Sequence, residues 1–392
     1  MIKVLLTGIN GTYNYGCEAI IRGTIEILTS LFRDIQVDYL ATNRSFDDKL
    51  RLNGCNVRVR TLKDFSFIRF YSKKILRKLR IPFEIEEIGK SDIGKYDMVL
   101  SIGGDIYTIW SNGGYAKKLI HFGDYCQNAG VPYILWGCSV GPFEENLKIK
   151  EIFKKHLTNV SLIVAREQTT VDYLRSMNVA RNVILSFDPA FSVPSPKLSQ
   201  SIGEKILGIN LSPLSLKYLK VGEDEAIKEH SNIIISLIRE YNWKVLLIPH
   251  VVKCENRDND LYYLKKIYEN IPSEIIDQVS IISNDPGFVG LKTDIQRCKA
   301  VIAARMHCAI NAISSGVPAI FLSYSEKSRG MSRMIYGTDD YCLPLEAFKE
   351  NNVELLDNLF QKVYIPNDLN CRIKEKGNLK TALEQILQKK SL

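Results

Sequence analysis

Short β-branched runs alternate with longer amphipathic stretches along most of the chain. Val4–Thr7 reads as a strand, and Glu18–Phe32 as a helix after a Gly-rich turn. Val37–Ala41, Val57–Arg60, Met98–Ile102, Tyr133–Trp136 and Leu162–Ala165 read as further strands, each closed by a turn signal. Gln168–Met177 is predicted helical and Val183–Ser186 returns to strand. This alternation is the signature of a parallel sheet covered by helices. A Pro- and Ser-rich stretch, Val193–Ser199, interrupts it as a linker would. The pattern then restarts, with strands predicted at Ile206–Leu211, Lys244–Pro249, Val279–Ile282, Ala300–Ala304 and Ala319–Ser323. Helices are predicted at Glu223–Glu240, Asp258–Asn270, Leu291–Arg297 and Met306–Ser315. The expectation is an α/β protein of two Rossmann-like domains facing a cleft, residues 1–192 and 200–345. Amphipathic helices over 346–392 are expected to pack back on the first domain.

Composition adds exclusions. With 392 residues, 45% hydrophobic and 24% charged, the chain is an ordinary globular one, too long for a disulfide-stapled miniprotein. Its longest apolar runs fall well short of the roughly 18–20 residues a spanning helix needs. The first residues read as a buried strand rather than a secretory signal. Nine cysteines without a C-x-x-C pair indicate neither a zinc site nor a disulfide framework; buried thiols in a reducing cytoplasm are expected. The formal charge of +8 is below what a dedicated nucleic-acid binder shows. Most of that excess sits in residues 66–82, where Arg69, Lys73, Lys74, Arg77, Lys78 and Arg80 occur with no acidic residue. On a helix Arg69, Lys73, Arg77 and Arg80 share one side, while Ile68, Tyr71, Ile75 and Leu79 share another. That form suits an anionic membrane surface, or else a solvated helix partly neutralised by Glu84, Glu86 and Glu87.

In open α/β sheets ligands bind outside the carboxyl ends of the strands, so the strand-end turns hold the candidate chemistry. The first runs from Gly8 to Ala19; its glycines permit close backbone approach, and Asn14 either caps the helix or faces a ligand with Gly16. Its spacing does not match G-x-G-x-x-G, so a dinucleotide site is not supported. Gly103-Gly104-Asp105 could present Asp105 to a ligand or cap a helix. Arg166 directly follows an apolar strand, with Glu167 beside it as a ready ion-pair partner. His250 ends the strand Lys244–Pro249. The strongest element is Arg305-Met306-His307 at the start of a helix, followed by Lys327 and Arg329 after the next strand. Together they form a receptor for a small, highly charged anion, and His307 could also move protons.

At these residues the chain resembles the polysaccharide pyruvyl transferase family. The resemblance rests on Asn14-x-Gly16-x-Glu18-Ala19, Gly103-Gly104-Asp105, Ser139-Val140-Gly141-Pro142-Phe143, Ala165-Arg166-Glu167, Asp188-Pro189-Ala190-Phe191, Arg305-x-His307 and Tyr324-Ser325-x-Lys327-x-x-Gly330. It implies a GT-B-like fold and transfer of pyruvate from phosphoenolpyruvate onto two hydroxyls of a sugar, as a cyclic ketal, in cell-surface polysaccharide assembly. Phosphoenolpyruvate is then a co-substrate, with no other cofactor and no metal. Arg305, Lys327, Arg329 and Arg166 are expected to hold the donor, with Asn14, Gly16 and His250 lining the site. His307 is expected as general acid, and Asp105 or Glu18 from the acceptor-side first domain as base. A lipid-linked acceptor on the inner face of the membrane is expected. The rival readings are a GT-B nucleotide-sugar glycosyltransferase and a non-catalytic glycan-lipid binding protein.

Overall fold

The structure is a computed structural model that describes residues 1–9, 11–41, 52, 57–65, 71, 78, 88–110, 112–196, 204–252, 258–323, 326–375 and 377–390. Of the basic run at 66–82 only Tyr71 and Lys78 are among them, so its amphipathic helix lies outside the described residues, as do Tyr324 and Ser325. The chain divides into two compact units. The first comprises Met1–Thr12, Ile20–Pro189 and Ile373–Leu392; the second comprises Tyr13–Ala19 and Ala190–Arg372. The division differs from the sequence boundaries at three places: the turn Tyr13–Ala19 and residues 190–192 group with the second unit, and of the C-terminal helices only Ile373–Leu392 group with the first.

The first unit is built on a seven-stranded parallel sheet. Its strands are β1 (Ile2–Thr7), β2 (Ile35–Leu40), β3 (Arg58–Arg60), β4 (Met98–Ile102), β5 (Tyr133–Cys138), β6 (Leu162–Ala165) and β7 (Val183–Leu185). They lie in the order β3-β2-β1-β4-β5-β6-β7. The second unit has six parallel strands: β8 (Ile206–Asn210), β9 (Lys244–Leu247), β10 (Val279–Ile281), β11 (Ala300–Ala303), β12 (Ala319–Ser323) and β13 (Cys342–Pro344). Their order is β10-β9-β8-β11-β12-β13. Both are doubly wound orders, which reverse direction between the first and fourth strands and leave a ligand crevice at those carboxyl ends. Every residue of β4, β5, β8, β11 and β12 is buried. Helices cover both faces of such a sheet, which is why these strands read as continuous apolar runs.

The helices used below are α1 (Tyr15–Leu31), α2 (Lys117–Asn128), α3 (Leu147–Asn159), α4 (Gln168–Ser176), α5 (Glu223–Tyr241), α6 (Asp260–Glu269), α7 (Gly287–Ile295), α8 (Met306–Ser314) and α9 (Glu326–Tyr336). Sequence periodicity missed α2, α3 and α9. A cap signal was present for α3: the Asn146 side chain accepts from the backbone N–H of Lys148 and Ile149. In the first unit's core, Phe143 stacks on Phe153 at 4.0 Å between ring centroids, with Tyr107 and Tyr115 edge-on to Phe153. These rings tie the loops after β4 and β5 to α3, and so hold the carboxyl edge of the sheet in place.

Candidate active site

Each unit carries one polar cluster at the carboxyl edge of its sheet. In the second unit the hub is Asp260, a fully buried carboxylate at the start of α6. It accepts from the backbone N–H of His250 and Val251, from the Asn210 side-chain amide, and from Arg305 Nε and Nη2. Asp258 takes a second bond from Arg305 Nη2 at 2.5 Å. Asn210, ending β8, also receives the backbone N–H of Arg305 at 2.8 Å. Arg305 therefore bolts the ends of β8, β9 and β11 together. The two aspartates hold the guanidinium firmly charged against the cost of burial. Arg305, expected among the donor-holding cations, thus faces two carboxylates and brings no net positive charge of its own to a donor. Arg329 is likewise engaged, by Glu326 at 3.5 Å and Asp339 at 3.6 Å. Lys327 lies in the first turn of α9 and is half-buried.

The turn Tyr13–Ala19 completes this cluster. Asn14 caps α1: its Oδ1 accepts from Gly16 N and its carbonyl from Cys17 N and Glu18 N. The capping alternative therefore holds for Asn14. Glu18 is buried, and its carboxylate accepts from Phe288 N at 2.9 Å, in the first turn of α7. A carboxylate at a helix N-terminus is stabilised where it is, so Glu18 is an anchor for α7 rather than the expected base. That partner, distant in sequence, also explains why α7 begins at Gly287, ahead of the predicted Leu291. Tyr15 OH donates to Asp285 at 2.5 Å, and its ring meets His250 edge-on at 5.6 Å.

His250 is fully buried between Tyr15 and Phe288, and neither ring nitrogen has a hydrogen-bond partner among the described residues. Burial, then the nearby His307 and Arg305, keep its pKa well below the usual histidine value, so the ring is neutral near pH 7. At the strand end where it was expected to line the site, it therefore brings no positive charge. His307, the second residue of α8, is partly exposed and lies directly on Gly16: a Cβ there would stand 2.7 Å from the imidazole Cγ and Nδ1. The second unit thus brings together Asn14, Gly16, Glu18, His250, Arg305 and His307. The His307 imidazole and the first turn of α8, whose cap residue Arg305 makes no side-chain cap bond, lie at the reversal point between β8 and β11.

In the first unit the cluster centres on Arg166, which is completely buried. Its Nε donates to Ser139 Oγ at 2.8 Å, Nη1 to Asp188 at 2.9 Å and Nη2 to Asp105 at 2.9 Å. Glu167 lies 3.5 Å from Nε; its burial pushes its pKa up against the pull of Arg166, and Ser139 and Thr170 donate to it. The guanidinium fills the space a side chain at Gly104 would need, since a Cβ there would come within 2.1 Å of Nη1. The expectation that Arg166 holds substrate is corrected: it has no surface to offer and is the strut of this edge. Asp105 is its solvent-reaching partner, with a side chain 56% exposed.

Asp258, Asp260 and Asn210 were missed from sequence, because their meaning appears only once β8, β9 and β11 lie side by side. Among the described residues no group of three His, Cys, Asp or Glu is arranged to hold a metal ion. No described helix is long and apolar enough to cross a membrane.

The sequence profile of the family described as polysaccharide pyruvyl transferase matches residues 14–326. The chain belongs to that family, which makes it a transferase of polysaccharide biosynthesis. It is similar to the amylovoran biosynthesis protein AmsJ of Erwinia amylovora. The two are 22% identical over 366 aligned residues, covering 85% of this chain and 86% of the relative. Among solved structures it is similar to the UDP-GlcNAc 2-epimerase of Neisseria meningitidis bound to UDP-GlcNAc, with a TM-score of 0.60, 14% identity and 99% and 100% of the two chains covered. It is also similar to a UGT transferase of Siraitia grosvenorii in complex with UDP, with a TM-score of 0.50, 10% identity and 100% and 99% covered. Likeness at that identity is one of fold, and it agrees with the GT-B-like class implied by the sequence.

Proposed function

We propose that the protein moves the pyruvyl group of phosphoenolpyruvate onto two hydroxyls of a saccharide, giving a cyclic ketal and inorganic phosphate. The observation that carries this reading is His307, an imidazole in the first turn of α8 at the reversal point of the second sheet. Helix first turns suit anions, so the donor's phosphate and carboxylate are assigned to the α8 amides and to Lys327, with Arg305, the residue before α8, held in place by Asp258 and Asp260. His307 protonates the methylene carbon of the donor, and the adjacent C2 becomes oxocarbenium-like. One sugar hydroxyl adds to C2 and gives up its proton. The bond from C2 to the phosphate oxygen breaks, phosphate leaves, and the second hydroxyl adds and loses its proton. Of the two hydroxyl protons, one balances the new methyl group and the other the phosphate; nothing is oxidised or reduced. Asp105 is the base assigned to the acceptor, since it keeps a solvent-reaching carboxylate.

The acceptor is assigned to a lipid-linked saccharide on the cytoplasmic face of the membrane. The charge of residues 66–82 suits attraction to anionic lipid. Vesicles containing anionic lipid should sediment the protein, and neutralising the six cations should release it.

Melting-temperature titration tests the donor. Phosphoenolpyruvate should stabilise the protein and UDP-GlcNAc should not; the reverse pattern would favour a nucleotide-sugar glycosyltransferase. His307→Ala should remain folded and lose about 10²–10⁴-fold in turnover, the usual contribution of a positioned acid.

A further inference from the structure

The segment between β4 and α2 leaves the carboxyl edge of the first sheet at Gly103-Gly104-Asp105 and returns as a tight hairpin. Ile109 bridges Tyr115, Trp110 N donates to Gly114 O at 2.8 Å, and Gly113 N donates to Trp110 O at 2.8 Å. Asn112 Oδ1 secures the turn by accepting from Gly114 N at 3.0 Å. Both legs are anchored in the core, through Tyr107 OH on Ser101 Oγ and the Tyr115 ring against Phe153. At the head sits Trp110, 47% exposed, whereas Trp136 and Trp243 are buried. Its six-membered ring lies on Gly114 so closely that a Cβ there would fall 2.8 Å from Cε3. The indole N–H has no hydrogen-bond partner among the described residues.

A single exposed aromatic is ordinary. Three features set this one apart: a rigid mount, a glycine cleared beneath the ring, and a place on the ligand-binding edge of the sheet. It stands five positions along the chain from Asp105, a span of at most about 18 Å even fully extended, which a short oligosaccharide covers. A tryptophan face is electron-rich and meets the weakly positive C–H face of a pyranose, while fixed carboxylate and amide groups take its hydroxyls. From Gly103 to Ala116 the only charged residue is Asp105, which repels phosphate and favours a neutral sugar. We infer that Trp110 is the stacking platform of a saccharide subsite, with Asp105 as its hydroxyl acceptor. This rests on the proposed function insofar as the saccharide is the pyruvyl acceptor.

The test uses the full chain without donor. Because the other two tryptophans are buried, acrylamide quenching reports chiefly on Trp110. Methyl β-galactopyranoside, methyl β-glucopyranoside and lactose are titrated as probes. The expected result is that at least one shields the exposed tryptophan from acrylamide, and that Trp110→Ala abolishes the effect while far-UV circular dichroism and melting stay unchanged. In turnover with phosphoenolpyruvate, Trp110→Ala should raise the acceptor KM about tenfold, the truncation cost of an aromatic anchor, with donor KM unmoved and Trp110→Phe intermediate. Absence of shielding by all three sugars, or an acceptor KM equal to wild type, overturns the inference. Shielding without any phosphoenolpyruvate turnover leaves the subsite standing and removes the donor reading instead.

Discussion

The imidazole of His307 rests on Gly16, with no room for a methyl group between them: a Cβ at Gly16 would lie 2.7 Å from Cγ and Nδ1. Gly16→Ala should therefore push the ring off its position while leaving the fold intact. A displacement of about 1 Å at a proton donor can cost about 10²-fold. Turnover should fall by that order, with a melting temperature close to wild type.

Arg166 and Asp105 should separate stability from chemistry. Replacing Arg166 by Met leaves Asp188 buried and uncompensated, a loss of about 3–5 kcal/mol. Asp105→Asn, at a half-exposed carboxylate, should cost stability no more than about 1 kcal/mol yet lower the transfer rate strongly. Urea unfolding and turnover, measured side by side on the two variants, check the contrast.

Buried histidines should make the protein acid-sensitive. Burial lowers the His230 pKa to about 4, and that of His250 falls well below its usual value. The unfolded chain, titrating near 6.5, then binds more protons than the folded one as pH falls below that value. Stability should decline from about pH 6.5 towards pH 4. His230→Gln, which retains a partner for the Tyr263 hydroxyl, should flatten that slope in denaturant titrations.

Lys292 extends the same upward slope to the alkaline side of the pH profile. It is buried on α7 beside Ser314 Oγ, at 2.7 Å, and near the Phe288 ring, and burial pulls its pKa down to about 7. Between about pH 7 and its unfolded value the unfolded chain holds the extra proton, so stability should rise with pH through that window. Lys292→Met should raise stability at pH 7 by a few kcal/mol and gain nothing at pH 10.5, as read from urea midpoints.

Much of the fold was legible because parallel strands buried on both faces announce themselves. Met98–Ile102, Leu162–Ala165 and Ala319–Ser323 lie where their apolar runs place them. Helix starts were less legible where the cap comes from far away, as Glu18 does for α7. In the site, strand-end position marked His307 and Arg305 as residues of interest. It could not distinguish a ligand contact from a strut, because that depends on which carboxylates the fold brings up. Asp260 turns Arg305 inward, and Asp188 with Asp105 does the same to Arg166. Trp110 carried no sequence signal, since exposure and the clearance at Gly114 are properties of the folded hairpin.

The most direct test of the account is incubation of the protein with carbon-13-labelled phosphoenolpyruvate and a saccharide offering two neighbouring free hydroxyls, followed by NMR and phosphate assay. The account predicts acceptor-dependent phosphate release together with a product whose labelled C2 is a quaternary ketal carbon bearing a methyl group, both lost in His307→Ala. Phosphate released without the ketal carbon, or ketal formed at the wild-type rate by His307→Ala, would contradict it.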